Sequence, residues 1–169
     1  HNHNDIGSFV VFYDGLPLII DVGSGTYTKK TFSDQRYTIW YNCSDYHNLP
    51  TINGKNQLPG REFQAKDIKY QLSSNGVQFS LDIADAYPDE AGINNWKRLV
   101  QFNRGKQVIV SDQFDLKKPS PLTEHLMTVY PSEIIKPGQL LIHYQGKGDT
   151  EKDFVVSYDS KKLRPEIEK

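Results

Sequence analysis

The most constraining feature of the sequence is an Asp-Gly dipeptide between two apolar runs near the start of the chain. Residues 8–13 are rich in aromatic and β-branched side chains, Asp14-Gly15 interrupts them, and residues 16–22 are apolar again. This arrangement is the strongest short-range signal for a β-hairpin with a two-residue loop. In the register that such a loop sets, Ser8 lies opposite Asp21, so the hairpin returns Asp21 toward the first residues of the chain.

The rest of the sequence repeats the pattern of short apolar runs separated by turn residues. Apolar and polar residues alternate over residues 77–83, which predicts a strand with one buried and one solvated face. We find no long stretch that combines helical periodicity with capping residues. We therefore predict an all-β fold, an antiparallel β-sandwich, formed by a single domain over residues 1–169. The other predicted strands or extended segments are 37–41, 68–72, 96–102, 107–114, 126–130, 140–144 and 154–158, and residues 84–95 are predicted to form a long loop.

Composition and charge exclude several classes of function. The net charge of −1 gives no basic surface for nucleic acid, so no nucleic-acid partner is expected. No apolar run reaches the length that spans a membrane. The single cysteine, Cys43, excludes an intrachain disulfide. Because the chain begins without a methionine and inside a motif, we expect it to be a fragment of a longer protein.

Three of the five histidines, together with acidic residues, are candidates for chemistry. His1 and His3 are two residues apart, so their side chains share a face of an extended segment. His47 lies in a polar loop, and imidazole with carboxylate is a zinc-compatible ligand set. The spacing of His3, Asp21 and His47 fits no short metal-binding pattern, so structural, hydrogen-bonded histidines remain an alternative. His125 and His143 lie at or within apolar strands, and we expect both to be structural.

Several blocks of the sequence occur together and in order. The chain is identified by them as similar to the heparinase II/III family of polysaccharide lyases, over roughly residues 1–115. These blocks are His1-Asn2-His3-Asn4-Asp5 with Gly7-Ser8-Phe9, Gly15-x-Pro17, Asp21-x-Gly23 with Tyr27, Ser44-x-x-His47-Asn48, and Trp96-x-Arg98 with the strand ending at Asp112.

The resemblance implies a C-terminal β-sandwich domain that follows an N-terminal α/α toroid, which is missing from this chain. It implies a catalytic role for His1 and a structural zinc ion bound by His3, Asp21 and His47. The reaction it implies is β-elimination at a uronic acid of an acidic polysaccharide, in the periplasm or outside the cell. Since the family's catalytic tyrosine lies in the toroid, the isolated chain is expected to be inactive.

Two other functions remain open at this point. The chain could be a carbohydrate-binding module without chemistry, or a zinc-stabilised structural domain that supports the toroid. Asp5 could orient a ligand histidine or cap the turn at Ile6-Gly7. Candidate sugar-stacking residues, which alternatively form the core, are Tyr27, Tyr37, Trp40, Tyr41, Tyr46 and Trp96.

Overall fold

The structure, a computed structural model, describes residues 2–146 and 148–168. Its strands pair in antiparallel sheets, and its helical segments in this part of the chain are single 3₁₀ turns, so the prediction of an all-β fold is confirmed. The strands are β1 (Val11–Tyr13), β2 (Leu16–Ile19), β3 (Pro50–Ile52), β4 (Lys66–Ser73), β5 (Gly76–Asp82), β6 (Ile93–Asn103), β7 (Gln107–Leu116), β8 (Leu122–Glu124), β9 (Ser132–Lys136), β10 (Gln139–Gln145) and β11 (Glu151–Ser157). The 3₁₀ turns are Lys29–Phe32, Arg36–Thr38, Trp40–Asn42, Ser44–Tyr46, Ala84–Ala86 and Asp89–Ala91. None of these helical segments has the length or the apolar composition that a membrane-spanning helix requires.

The chain divides into two compact units. The first contains the residues up to Phe9 and Asp21–Met127, and its sheets are a four-stranded sheet in the order β4-β5-β6-β7 and the pair β3-β8. The second contains Val10–Ile20 and the chain from Thr128 onward, with the pair β1-β2 and a three-stranded sheet in the order β11-β10-β9. Every strand pair within these sheets is antiparallel.

The first hairpin forms around Asp14-Gly15, as predicted, but it is shorter than its apolar runs. Tyr13 pairs with Leu16, and both loop residues have positive φ, 53° for Asp14 and 80° for Gly15, as a type I′ turn requires. The register shifts next to Val11, which pairs with Ile19. Pairing ends there, so the expected strand pair of Ser8 and Asp21 does not form.

Other predicted elements also differ from the structure. In the first case, local turn hydrogen bonds rather than apolar composition determine the backbone conformation. Residues 37–41 form 3₁₀ turns, because Thr38 and Ile39 bond back to carbonyls three residues earlier. Residues 126–130 contain no strand, whereas Ser132–Lys136 pairs with β10. The predicted loop at 84–95 consists of two 3₁₀ turns followed by the start of β6.

The core of the first unit lies under one end of its four-stranded sheet. Trp96 is fully buried there, and its ring stacks on Phe114 at a centroid distance of 4.4 Å. The remaining buried members of this core are Leu49, Ile52, Leu81, Ile83, Ala84, Ala86, Tyr87 and Ala91. Burial of apolar side chains here supplies the main stabilisation of the unit.

The other end of the same sheet is exposed, against the prediction of a continuous buried face on residues 77–83. Leu81 and Ile83 are buried, but Phe79 is 39% exposed. On the neighbouring strand, Tyr70 pairs with Phe79 and is 73% exposed. The alternation therefore identifies which side chains share a face, but not where along the strand that face is covered.

Candidate metal centre

The structure brings together the three residues that the sequence predicted as metal ligands. Ligand atoms of His3, Asp21 and His47 all lie within 4.8 Å of one another. We call these three candidate ligands the metal group. The rings of His3 and His47 have centroids 5.3 Å apart and are tilted by 44°. All three residues belong to the first unit, and they come from three separate loops rather than from strands.

His47 is the most constrained member of the group. Its side chain is completely buried, and Nδ1 lies 3.0 Å from Oδ2 of Asp21. Its Nε2 is also buried and has no hydrogen-bond partner among the described residues. A buried nitrogen without a partner costs about 1–3 kcal/mol, so this atom is an unusual feature that a ligand would explain.

The carboxylate of Asp21 is fixed by its own loop. The Gly23 amide donates to Oδ1 at 2.7 Å, which leaves Oδ2 directed at His47. The Asp21 side chain is 38% exposed, so the site opens to solvent on this side. A local turn thus orients one candidate ligand, while burial orients another.

The electrostatic environment of His3 favours the neutral imidazole that a metal requires. Burial lowers the pKa of His3, and repulsion from His47 lowers it further, while the carboxylates of Asp5 and Asp21 oppose this shift. Asp5 therefore influences His3 by its charge. Its backbone carbonyl also accepts from the Ser8 amide at 2.9 Å, so the predicted turn at Ile6-Gly7 is formed by the main chain.

The donor set fits a small cation of the zinc type. Two imidazoles and one carboxylate are typical protein ligands of zinc, at about 2.0–2.2 Å from the ion, and tetrahedral coordination leaves a fourth position for water or a neighbouring group. The compact spacing of the ligand atoms and the unpartnered Nε2 of His47 agree with such an ion. These residues could hold a metal.

The other predicted histidines have different outcomes. His1 lies outside the described residues, so its catalytic role stays a prediction. His125 contacts Thr51 Oγ1 through Nε2 at 2.9 Å, as expected of a structural residue. His143 Nδ1 contacts Asp153 Oδ1 at 2.7 Å on a partly exposed strand of the second unit.

Aromatic side chains continue from the metal group toward the surface. The Tyr41 ring lies 6.1 Å from His3 and 5.5 Å from Trp40, and the Trp40 ring lies 5.0 Å from Tyr46. Trp40 is 52% exposed and Tyr46 is 41% exposed, whereas Tyr41 is buried. Of the proposed sugar-stacking residues, Trp96 and Tyr41 are therefore core residues, whereas Trp40, Tyr46 and Tyr27 are exposed and Tyr37 is half-buried.

Sequence reasoning missed the buried polar side chains that surround the metal group. Gln57 bonds both the amide and the carbonyl of Ile6, although it lies in what reads as ordinary loop sequence. Asn48 bonds the Phe9 carbonyl and the Met127 amide. The only signal was that Asn48 and Arg98 belong to the blocks of the family resemblance.

Arg98 is the buried cation among these polar side chains, which we call the polar surround. Its side chain is 1% exposed and forms a two-pronged pair with Asp112, with Nη2 at 2.6 Å from Oδ2, and Nη2 also lies 3.2 Å from Glu124 Oε2. Burial opposes the charge of Arg98, but the hydrogen bond and charge of Asp112 outweigh it and raise the pKa of the guanidinium. Burial, followed by repulsion from Asp112, raises the pKa of Glu124, and Arg98 only partly compensates.

Comparison with known protein families gives one match, which covers the candidate metal centre and its surroundings. The model of the family described as "Heparinase II/III-like, C-terminal" matches residues 1–159, which is nearly the entire chain. A comparison with curated proteins returned no significant match. The matched range includes the metal group, every strand of both units and every block on which the resemblance rests. The chain therefore belongs to the heparinase II/III-like C-terminal family.

Proposed function

We propose that this chain is the C-terminal part of a polysaccharide lyase that cleaves uronic-acid-containing polysaccharides and binds one zinc ion through His3, Asp21 and His47. The observation that carries the proposal is the buried His47, whose Nε2 has no partner among the described residues while the other two ligands lie beside it. Family membership supports the lyase assignment. In this proposal the longer protein acts in the periplasm or outside the cell, and its N-terminal toroid forms the other side of the substrate cleft.

The proposed reaction is a β-elimination, which needs acid–base groups rather than a nucleophile. A base removes the proton from C5 of the uronate, the electron pair forms a C4–C5 double bond, and the C4–O bond breaks as the leaving oxygen takes up a proton. The uronate carboxylate must be neutralised for the intermediate to form. The family resemblance makes His1 the group of this chain that would exchange a proton with substrate, and an imidazole can do so near neutral pH.

The three proposed ligands act on His1 through the backbone. His3 and His47 would hold a bound zinc ion together with Asp21, and the ion would supply a link between the loops that carry the two imidazoles. His3 and the buried His47 would then restrain the same short segment that carries His1. One residue separates His1 from His3, so a fixed His3 limits the positions that the catalytic imidazole can reach.

Metal content of the purified chain tests the ligand assignment. We expect stoichiometric zinc in protein prepared without a histidine tag, and loss of it in His3→Ala and His47→Ala. His143→Ala is the matched control, because this histidine also contacts carboxylates but lies in the second unit. A wild-type chain that binds no zinc, or an equal loss in the control, contradicts the assignment.

Activity of the longer protein tests the lyase assignment. Unsaturated uronate product is followed by its ultraviolet absorbance on a panel of uronate polymers. Removal of a catalytic acid or base typically costs about 10²–10⁴-fold, and we expect His1→Ala to fall in that range. Near-normal turnover in this variant would remove His1 from the mechanism, and clear product from the 169-residue chain alone would contradict the need for a toroid.

A second candidate function is glycan binding without chemistry, favoured by the exposed pair Trp40 and Tyr46. Aromatic faces bind sugar rings by stacking, and these two rings lie within one aromatic cluster beside His3. Retention of the isolated chain on immobilised acidic oligosaccharide, lost in Trp40→Ala, would support it. Phe79→Ala is the control, because this exposed aromatic lies on the four-stranded sheet. Equal loss in both variants would indicate nonspecific adhesion.

A further inference from the structure

The segment that carries His3, residues 2–9, is fixed without belonging to any sheet. It contains no strand residue, and its backbone hydrogen bonds to other backbone groups are Asn4 N to Asn42 O at 3.0 Å and the internal Ser8 to Asp5 turn. Buried backbone groups need partners, and a strand would normally supply them. In this segment, named here the His3 segment, side chains supply them instead.

The Gln57 side chain supplies backbone hydrogen bonds to the His3 segment that a neighbouring strand would otherwise supply. Its side chain is 2% exposed, its Oε1 accepts from the Ile6 amide at 2.9 Å, and its Nε2 donates to the Ile6 carbonyl at 2.8 Å. This two-point contact reproduces one rung of an antiparallel ladder. The Gln57 backbone also accepts from Asn4 Nδ2 and donates to Ser44 Oγ, both at 2.9 Å, so one residue joins the His3 segment to the turn that precedes His47.

Arg98 joins the same two stretches at their other end. Its Nη1 donates to the Gly7 carbonyl at 3.2 Å and to the Asn48 carbonyl at 2.7 Å. The opposite edge of the guanidinium is fixed on Asp112 and Glu124. A guanidinium is rigid and planar, so its contacts set the distance between the two carbonyls rather than following it.

We propose that Gln57 and Arg98 are positioning residues of the metal centre, which set the separation of His3 and His47 by bridging the stretch that follows His3 to the residues on either side of His47. The inference rests on the proposed function, because it assumes that His3, Asp21 and His47 bind a metal. Ligands must lie near fixed distances from the ion, and the groups that orient them typically change metal affinity by about 10–100-fold when removed. Neither residue is among the proposed ligands, so each acts only through the segments that carry them.

Metal affinity, measured separately from stability, tests this inference. We compare wild type, Gln57→Met and Arg98→Lys by chelator competition with zinc and by the visible spectrum of the cobalt(II) form. Gln57→Met keeps the length and neutrality of the side chain but removes both bonds to Ile6. We expect each variant to bind zinc about 10–100-fold more weakly and to show a shifted cobalt spectrum at a temperature where its metal-free form is folded by circular dichroism.

Asp82→Ala is the matched control, since it destabilises the same unit without touching the His3 segment. Asp82 is 2% exposed and accepts from the Ala84 and Trp96 amides. Wild-type affinity and spectrum in this control, with weaker binding in the two variants, supports positioning. Unchanged binding in the variants, or equal weakening in the control, overturns it while the metal site itself stands.

Two further outcomes are also decisive. A wild-type chain that binds neither zinc nor cobalt overturns the proposed function and this inference together, and is therefore distinguishable from failure of the inference alone. If Arg98→Lys does not fold, Gln57→Met decides by itself, because its neutral side chain of similar length removes the two bonds without adding a charge.

Discussion

Two regions of the first unit satisfy the hydrogen-bonding groups of the backbone in opposite ways. In the sheet β4–β7, ladder hydrogen bonds satisfy the backbone, and side chains as apolar as Leu72, 70% exposed, are left in solvent. Around the metal group, the described residues form no ladder, and buried polar side chains bond the backbone instead. These buried polar residues are Asn4, Asn42, Ser44, Asn48 and Gln57.

This difference determines which residues of each region can be substituted without loss of stability. A strand keeps its backbone bonds whatever side chain it carries, so exposed sheet positions tolerate substitution. A loop whose backbone depends on an amide side chain loses those bonds when the amide is removed. Stability in the metal region is therefore tied to individual residues, and five predictions test that contrast.

Arg98→Ala is expected to have the largest effect. It leaves Asp112 and Glu124 without their cation and removes the donor to two carbonyls, and breaking a buried pair in this way costs about 3–5 kcal/mol. Urea unfolding of the metal-free chain measures it. Lys97→Ala, an exposed neighbour on β6, should stay within about 0.5 kcal/mol of wild type. Equal effects would abolish the contrast.

Two asparagines compare the regions with identical chemistry. Asn48 is 1% exposed and bonds the Phe9 carbonyl and Met127 amide, so Asn48→Ala should cost about 2–3 kcal/mol. Asn94 lies exposed on β6, where its side chain bonds Asp115, and Asn94→Ala should cost less than about 0.5 kcal/mol. Chemical denaturation of both variants decides whether burial within a loop produces the difference.

Gly7→Ala tests how tightly the His3 segment lies on the core. Gly7 has φ 87°, and an added Cβ would lie 2.8 Å from Ile83 Cγ2, so we expect a loss of about 1–3 kcal/mol. Gly54 also has positive φ, 68°, but an added Cβ there meets nothing within 4 Å. The midpoint of thermal unfolding should fall further for Gly7→Ala than for Gly54→Ala, and the reverse order would show that the segment is loosely packed.

Glu124 should make the free energy of unfolding of the chain depend on pH. Its pKa is raised in the folded chain by burial and by Asp112, with Arg98 opposing, so the folded state holds its proton more tightly than the unfolded state. Between the ordinary pKa of about 4.3 and the raised one, stability should therefore fall as pH rises. Urea midpoints across this window, measured with chelator present, should fall less steeply in Glu124→Gln. Parallel curves for both proteins would contradict the assignment.

The smallest effect is expected on the exposed end of the sheet. Tyr70 is 73% exposed on the edge strand β4, so Tyr70→Thr should change the free energy of unfolding by no more than about 0.5 kcal/mol. A larger loss in urea unfolding would mean that this face is covered in the folded protein.

Local sequence determined several of the hairpins and strands of this protein. Asp14-Gly15 predicted a hairpin because few residues adopt the positive φ that its loop needs, and alternation predicted β5 because side chains on a strand point to opposite faces. The same reasoning failed at residues 37–41, where apolar composition indicated a strand but local turn bonds formed. Short apolar runs carry no information on which partner their backbone will find.

The candidate ligand residues could be named from the sequence, but their assembly could not be predicted. His3, Asp21 and His47 were identified by residue type and family blocks, whereas the expected pairing of Ser8 with Asp21 did not form. Tertiary structure alone decided that Gln57 and Arg98 bridge the surrounding loops, because their bonds join segments about 50–90 residues apart in sequence. Such bonds follow no period, so no local pattern encodes them, and only the folded chain brings donor and acceptor together.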